Sequence, residues 1–282
     1  MGKFATPVGD LEVPSLFQEA YRCLMAPDPD EKLALTEALA RDWREGRLSL
    51  EECARPETVA EPGRPERPWL VAPRNLAPRR LGSREGLVAL IHSLAHIEFN
   101  AVNLAWDAVY RFRGLPEDFY TDWVGVAEEE AYHFALLRSR LRELGRDYGD
   151  FDAHDGLWQA ARDTAHDPLV RMALVPRVLE ARGLDVTPGM MGRLRRAGDR
   201  ATVAILEIIF RDEIGHVKIG SRWFRYLCQQ RGLNPESMFR ALLEQYMTGR
   251  IKGPFARAAR RQAGFGEDEL ALLEELAMAS GR

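Results

Sequence analysis

The chain has 282 residues, of which 46% are hydrophobic and 29% charged, the composition of a globular protein long enough to bury a sizeable core. Lys and Arg number 39 against 43 Asp and Glu, a formal charge of -4, so no overall basic field draws it to nucleic acid or to an anionic membrane. Three cysteines without C-x-x-C spacing argue against a disulfide framework or a cysteine zinc site. With no apolar signal segment and no run near the ~18 apolar residues of a membrane span, a cytoplasmic location is expected.

Helical periodicity dominates and no alternating apolar run bounded by hairpin turns interrupts it, so the fold class expected is all-α. Residues 14–24 and about 28–46 read as two amphipathic helices, the second opened by Pro27, Asp28, Pro29 and Asp30. From Arg55 to Leu81 the chain is rich in Pro and Arg, a composition that resists helix because proline lacks an N–H and restricts its predecessor. Ser83 then offers an N-cap to a long helix reaching about Phe112, where Gly114 and Pro116 end it. A second long helix is predicted from Pro116 to Leu144, closed by Gly145. Shorter helices follow near 155–164 and from Pro168 to Arg182, with Gly183 as the natural terminator and a short connecting helix at 188–197. Another long helix spans about 199–231, and the tail holds segments near 235–247, 254–262 and 266–279. The organisation expected is an amino-terminal helical segment at 1–54, a strap at 55–82, a bundle at 83–232 and a helical extension at 233–282.

Stepping by three and four residues places single polar groups inside apolar stripes. On the first long helix Leu87, Ile91, Leu94, Glu98, Ala101 and Ala105 share a face. On the next, Trp123, Val126, Glu130, His133, Leu137 and Leu141 do, giving Glu-x-x-His within an apolar seam. Glu180 stands with Leu169, Ala173, Pro176 and Leu184, and Glu213 and His216 repeat Glu-x-x-His among Leu206, Ile209, Gly220 and Phe224. Four carboxylates in an apolar core demand compensation, and no lysine or arginine lies on these stripes. Two divalent ions balance four ionised glutamates, with two neutral imidazoles completing the donor set. The spacing closes in space: 14 residues separate Glu98 from Phe112 and 14 separate Pro116 from Glu130, so each arm of an antiparallel hairpin climbs about 21 Å and returns to one level. Because Glu180 stands close to the predicted end of its helix, residues 184–197 are expected to carry the chain back before the fourth long helix begins.

The ordered set Glu, Glu-x-x-His, Glu, Glu-x-x-His resembles the ferritin-like di-iron and di-manganese carboxylate proteins. The segments HIEFNAVNLAWDAVYRF, FYTDWVGVAEEEAYHFALLRSRL, RMALVPRVLEARGLDVTPGM and ILEIIFRDEIGHVKIGSRWFRYLC are similar to a bacterial family known as a ferritin-like domain of unknown function. The resemblance covers roughly residues 80–232 and implies a ferritin-like four-helix bundle with additional terminal helices. It implies Glu98, Glu130, His133, Glu180, Glu213 and His216 as metal ligands, with Glu130 and Glu213 bridging two ions and central to catalysis. Asp212 resembles the extra carboxylate that steadies a metal-bound histidine from behind, and Glu129 holds the equivalent place in the first copy. The ions implied are two iron, with manganese or a mixed manganese and iron pair as alternatives.

The activity implied is that of a dioxygen-dependent oxidase or hydroxylase acting on a small molecule and served by an electron donor. A non-cage iron-handling protein, a tRNA-modifying hydroxylase and a metal-stabilised interaction module are the open alternatives, as is a homodimer. No membrane partner is expected. The RNA reading rests on the basic strap, above all Arg79 and Arg80. His92 and His96 are expected to make ordinary polar contacts, because His96 points away from Glu98.

Overall fold

A computed structural model describes residues 13–51, 55–76 and 83–280. The fold is all-α, and the only β-type pairings among these residues are isolated bridges between Ser15 and Ser49 and between Leu70 and Ala153.

Two short helices, α1 (Leu16–Met25) and α2 (Pro29–Arg44), lie against the bundle, with the Asp28 carboxylate accepting from the Glu31 N–H to start α2. The described part of the strap, 55–76, forms no helix apart from a 3-10 turn at Pro73–Asn75. Arg79 and Arg80 lie outside the described residues. The first long helix, α3 (Arg84–Arg111), opens as expected on Ser83, whose hydroxyl accepts from the Gly86 N–H at 3.0 Å. Gly114, at φ 68°, makes the turn into α4 (Glu117–Glu143), which runs antiparallel along α3. Helix α5 (Gly156–Asp163) follows, then α6 (Pro168–Leu174).

Here the structure departs from the local sequence signals. Instead of ending at Gly183, the chain passes from α6 through a π-helical stretch, Val175–Glu180, into α7 (Ala181–Arg196), which contains both Gly183 and Pro188. The expected short helix at 188–197 is the far half of α7, so the chain turns at Gly198, at φ 80°, rather than after Glu180. The wider π register absorbs Pro176, which has no N–H to donate in an α turn.

The last long helix, α8 (Arg200–Gln230), starts on the Asp199 carboxylate and packs against α4 and against α6, the π stretch and α7, completing a four-helix bundle. Helices α9 (Pro235–Tyr246), α10 (Arg257–Gln262) and α11 (Glu267–Ser280) form the tail. They are tied to the bundle by Arg177, fully buried in the π stretch, which donates to Glu269 and faces the rings of Phe224, Phe239 and Phe265.

The apolar core falls into two clusters. One holds Ile91, Ala95, Phe134, Leu137, Leu206 and Ile209, and the other Val102, Ala105, Val126, Ala127, Val217 and Phe224. On α3, α4 and α8 alike, the junction between the clusters falls where Glu98, Glu130 with His133, and Glu213 with His216 occur. The polar residues therefore form one layer across the bundle, capped by hydrocarbon on both sides.

One close approach sets the fourth helix. A Cβ on Gly220, one turn beyond His216, would overlap the ring of Pro176, one turn before Glu180. Gly220→Ala gains about 1 kcal/mol of helix propensity but forces an overlap of the kind that costs about 1–3 kcal/mol. The expected result in urea denaturation is a lower midpoint than wild type. A variant as stable as wild type would show that this contact does not position the π stretch.

Candidate metal centre

Both Glu-x-x-His pairs face inward, and their histidines are completely buried. The His133 Nδ1 lies 3.4 Å from Glu98 Oε2 and 3.4 Å from Glu130 Oε2. On the other side, His216 Nδ1 lies 3.0 Å from Glu130 Oε1 and 3.9 Å from Glu213 Oε2. The two imidazole centroids are 5.8 Å apart. Two triads result, Glu98 with Glu130 and His133, and Glu130 with Glu213 and His216, each with one donor atom per residue within 4.8 Å of the others. Glu130 belongs to both, one oxygen turned to each histidine.

Of the two glutamates expected to bridge, Glu130 belongs to both triads, and Glu213 belongs to the triad with Glu130 and His216. Glu180 stands outside both triads but within electrostatic reach of Glu130 and His216.

Five atoms of this layer are buried without a hydrogen-bond partner: Glu98 Oε2, Glu130 Oε1, Glu180 Oε2, Glu213 Oε2 and His216 Nδ1. An orphaned buried polar atom costs about 1–3 kcal/mol. Five of them in one layer, on residues of carboxylate and imidazole type, fit a set of ligands whose partner is a cation. The 3.0 Å approach of His216 Nδ1 to Glu130 Oε1 lacks hydrogen-bond geometry, so the two atoms are close without bonding each other.

The charges confirm how unfavourable the layer is by itself. Burial, reinforced by Glu130, pushes the Glu98 carboxyl up to about 8, and burial with the same neighbour pushes Glu180 up to about 7. Glu213 is raised well above the carboxylate range for these reasons. Burial would raise Glu130 too, but the charge of His216 and hydrogen bonding with His133 outweigh it and hold Glu130 below the ordinary range. Burial opposes charge on His133, yet Glu130 and Glu98 push it up to about 11.

Behind each imidazole stands a carboxylate from the other helix. His133 Nε2, on α4, meets Asp212 Oδ2 of α8 at 3.1 Å, and His216 Nε2, on α8, meets Glu129 Oε2 of α4 at 2.7 Å. Asp212 and Glu129 are thus crossed, each serving the partner helix. Such contacts fix the ring's tautomer and direct Nδ1 at the cluster.

No lysine or arginine is expected on the four apolar stripes, and the buried cations Arg171 and Arg177 stand off those stripes. Arg171 pairs with buried Asp107 at 2.8 Å and Arg177 with Glu269, so each is matched outside the Glu/His layer. Asp107 also pairs with Arg111, four residues on, a spacing that the sequence alone could have revealed. His96 meets Tyr148 at 2.9 Å and the His154 carbonyl at 3.1 Å, and His92 accepts from the Gly149 N–H, the ordinary contacts expected. Cys23 and Cys228 are buried free thiols, and Cys53 lies outside the described residues. One helix, Arg84–Arg111, is long and apolar enough to cross a membrane by length and composition, and 72% of its apolar window is buried within the protein.

Fold and site together define a helical bundle with a buried carboxylate and imidazole cluster able to hold metal ions. Residues 25–271 match the family described as "Protein of unknown function (DUF455)", and the chain belongs to that family. It is 49% identical over 219 residues to an uncharacterized protein of Haemophilus influenzae, covering 75% of this chain and 76% of that one. No solved structure matches the chain.

Proposed function

We propose that Glu98, Glu130, His133, Glu180, Glu213 and His216 hold two transition-metal ions, iron in the first instance, and that the chain is a ferritin-like oxidoreductase of oxidase or hydroxylase type. The observation that carries this reading is the convergence of five orphaned donor atoms on a layer where Glu130 serves both triads. Carboxylates and imidazoles without thiolate suit iron and also manganese, the alternative metal.

A reduced iron pair, when bound, supplies the electrons for activating dioxygen. The chain's own residues perform the rest. Glu130, with one oxygen turned to each histidine, would serve both cations, and the crossed carboxylates Asp212 and Glu129 keep the imidazoles turned inward. The apolar clusters on either side surround the layer with hydrocarbon, which strengthens the electrostatic interactions within it. Ferrous ion added anaerobically to the metal-free protein, followed by air in an oxygen electrode, tests the reading. Prompt oxygen uptake scaling with bound iron is expected. Bound iron without uptake would overturn the oxidase assignment in favour of a metal-stabilised bundle.

The contacts behind the histidines differ in exposure, which ranks their effects. The Asp212 side chain is 15% exposed and that of Glu129 55%, so water screens the second contact more. Asp212→Asn is expected to weaken metal binding by about 10–100-fold, and Glu129→Gln by less. Calorimetric titration with a divalent ion checks the order, and a larger loss from Glu129→Gln would contradict the crossed arrangement.

A further inference from the structure

A cavity of about 460 Å³ opens beside the Glu/His layer, within the size range of small-molecule sites. Glu98, Glu180 and Glu213 line it, so it reaches the carboxylates directly. Much of its remaining wall is hydrocarbon, including Leu94, Ala101, Met190, Leu206 and Ile209. The other charged side chains along it are all cations: Arg182 from α7, Arg250 and Lys252 from the segment after α9, and Arg260 from α10.

These cations do not neutralise the three glutamates. Among the described residues none of the four forms an ion pair with Glu98, Glu180 or Glu213, and the one arginine acting on Glu180 is Arg171. Arg260 is 2% exposed and is fixed by the Asp185 carboxylate, which takes its Nε at 2.9 Å and Nη2 at 2.7 Å. Its Nη1 is left buried without a partner. Arg182 donates to the Lys252 carbonyl at 2.8 Å, which ties the 250–252 segment to the cavity wall. Arg250 and Lys252 are exposed and have no acidic partner among the described residues. A buried orphaned guanidinium donor with two unmatched cations beside an apolar cavity calls for an anion attached to hydrocarbon.

We propose that the cavity binds an amphipathic anion, an apolar chain bearing one carboxylate or phosphate group, with the anion at Arg260, Arg250 and Lys252 and the hydrocarbon against the wall leading to Glu98 and Glu213. This rests on the proposed function, since it takes those glutamates to be compensated by metal and the apolar chain to be the part presented for oxidation. It assigns the carboxy-terminal segment to substrate selection.

Gly183 provides a clean way to close the cavity. It lines the cavity wall, and a Cβ there meets nothing within 4 Å, so Gly183→Leu fills the space without a clash at the backbone. Decanoate, decyl phosphate and decanol are titrated calorimetrically into the metal-loaded protein, with metal counted in the same samples. The two anions are expected to bind at least about tenfold more tightly than the alcohol, the tighter one identifying the anionic group. The double variant Arg250→Glu with Lys252→Glu should erase that preference while leaving decanol unchanged, and Gly183→Leu should weaken all three ligands at constant metal content. Equal binding of anion and alcohol, a preference that survives the double variant, or undiminished binding of the three ligands to Gly183→Leu would overturn the assignment. Anion selectivity in protein that takes up no metal would sink the metal reading instead, so the two failures are distinguishable.

Discussion

Glu130→Ala is expected to abolish binding of both metal ions, the largest effect of any single substitution in this protein. Glu130 is the one residue common to the two triads, with Oε2 beside His133 and Oε1 beside His216. Its removal takes a donor from each site and separates the remaining carboxylates by nothing but their repulsion. Glu98→Ala removes a donor from the His133 triad alone and should leave one ion held by Glu130, Glu213 and His216. Elemental analysis after reconstitution and desalting checks the contrast. Two ions per chain in wild type, one in the Glu98 variant and none in the Glu130 variant is the expected series. Equal losses in both variants would show that the triads do not share Glu130.

The second large effect is on stability. Without a cation the layer keeps five buried donor atoms unsatisfied, so metal binds the folded chain in preference to the unfolded one. At a free metal concentration of 100 times the dissociation constant, one site contributes about 2.7 kcal/mol. With roughly 2–4 °C of melting temperature per kcal/mol for a large domain, each ion should raise the melting temperature by about 5–11 °C. Thermal unfolding of metal-free and reconstituted protein measures this directly, and chelator should reverse it. An unchanged melting temperature in protein that demonstrably holds metal would mean that the unfolded chain binds metal as tightly as the folded layer does.

Much of this architecture was legible before any coordinates. The bounds of α3, α4 and α8 follow from Ser83, Gly114, Gly145 and Gly232, because capping oxygens and left-handed glycines act within a few residues. The inward placement of Glu98, Glu130, His133, Glu213 and His216 follows from steps of three and four within apolar stripes, a property of the helix itself. What local rules missed depended on distant partners. Gly183 looked like a terminator, yet the chain runs through it as helix. The helix expected from Pro168 to Arg182 runs through Pro176, and it is docking on Gly220 and the π register that accommodate this residue.

The pairs of Arg171 with Asp107 and Arg177 with Glu269 escaped notice because their members are far apart in sequence and meet only in the folded core. So did the crossing of Asp212 and Glu129, which depends on how α4 and α8 face each other rather than on either motif alone. The cavity has the same origin, because Arg250, Lys252 and Arg260 come from the tail and its carboxylates from the bundle.

The central claim is that two cations belong on either side of the Glu130 carboxylate. Crystals of iron-reconstituted protein, with diffraction recorded above and below the iron absorption edge, locate them directly. Two anomalous peaks are expected, one between Glu130 and His133 and one between Glu130 and His216. No peak in the layer, in crystals whose protein carries stoichiometric iron, would contradict the account.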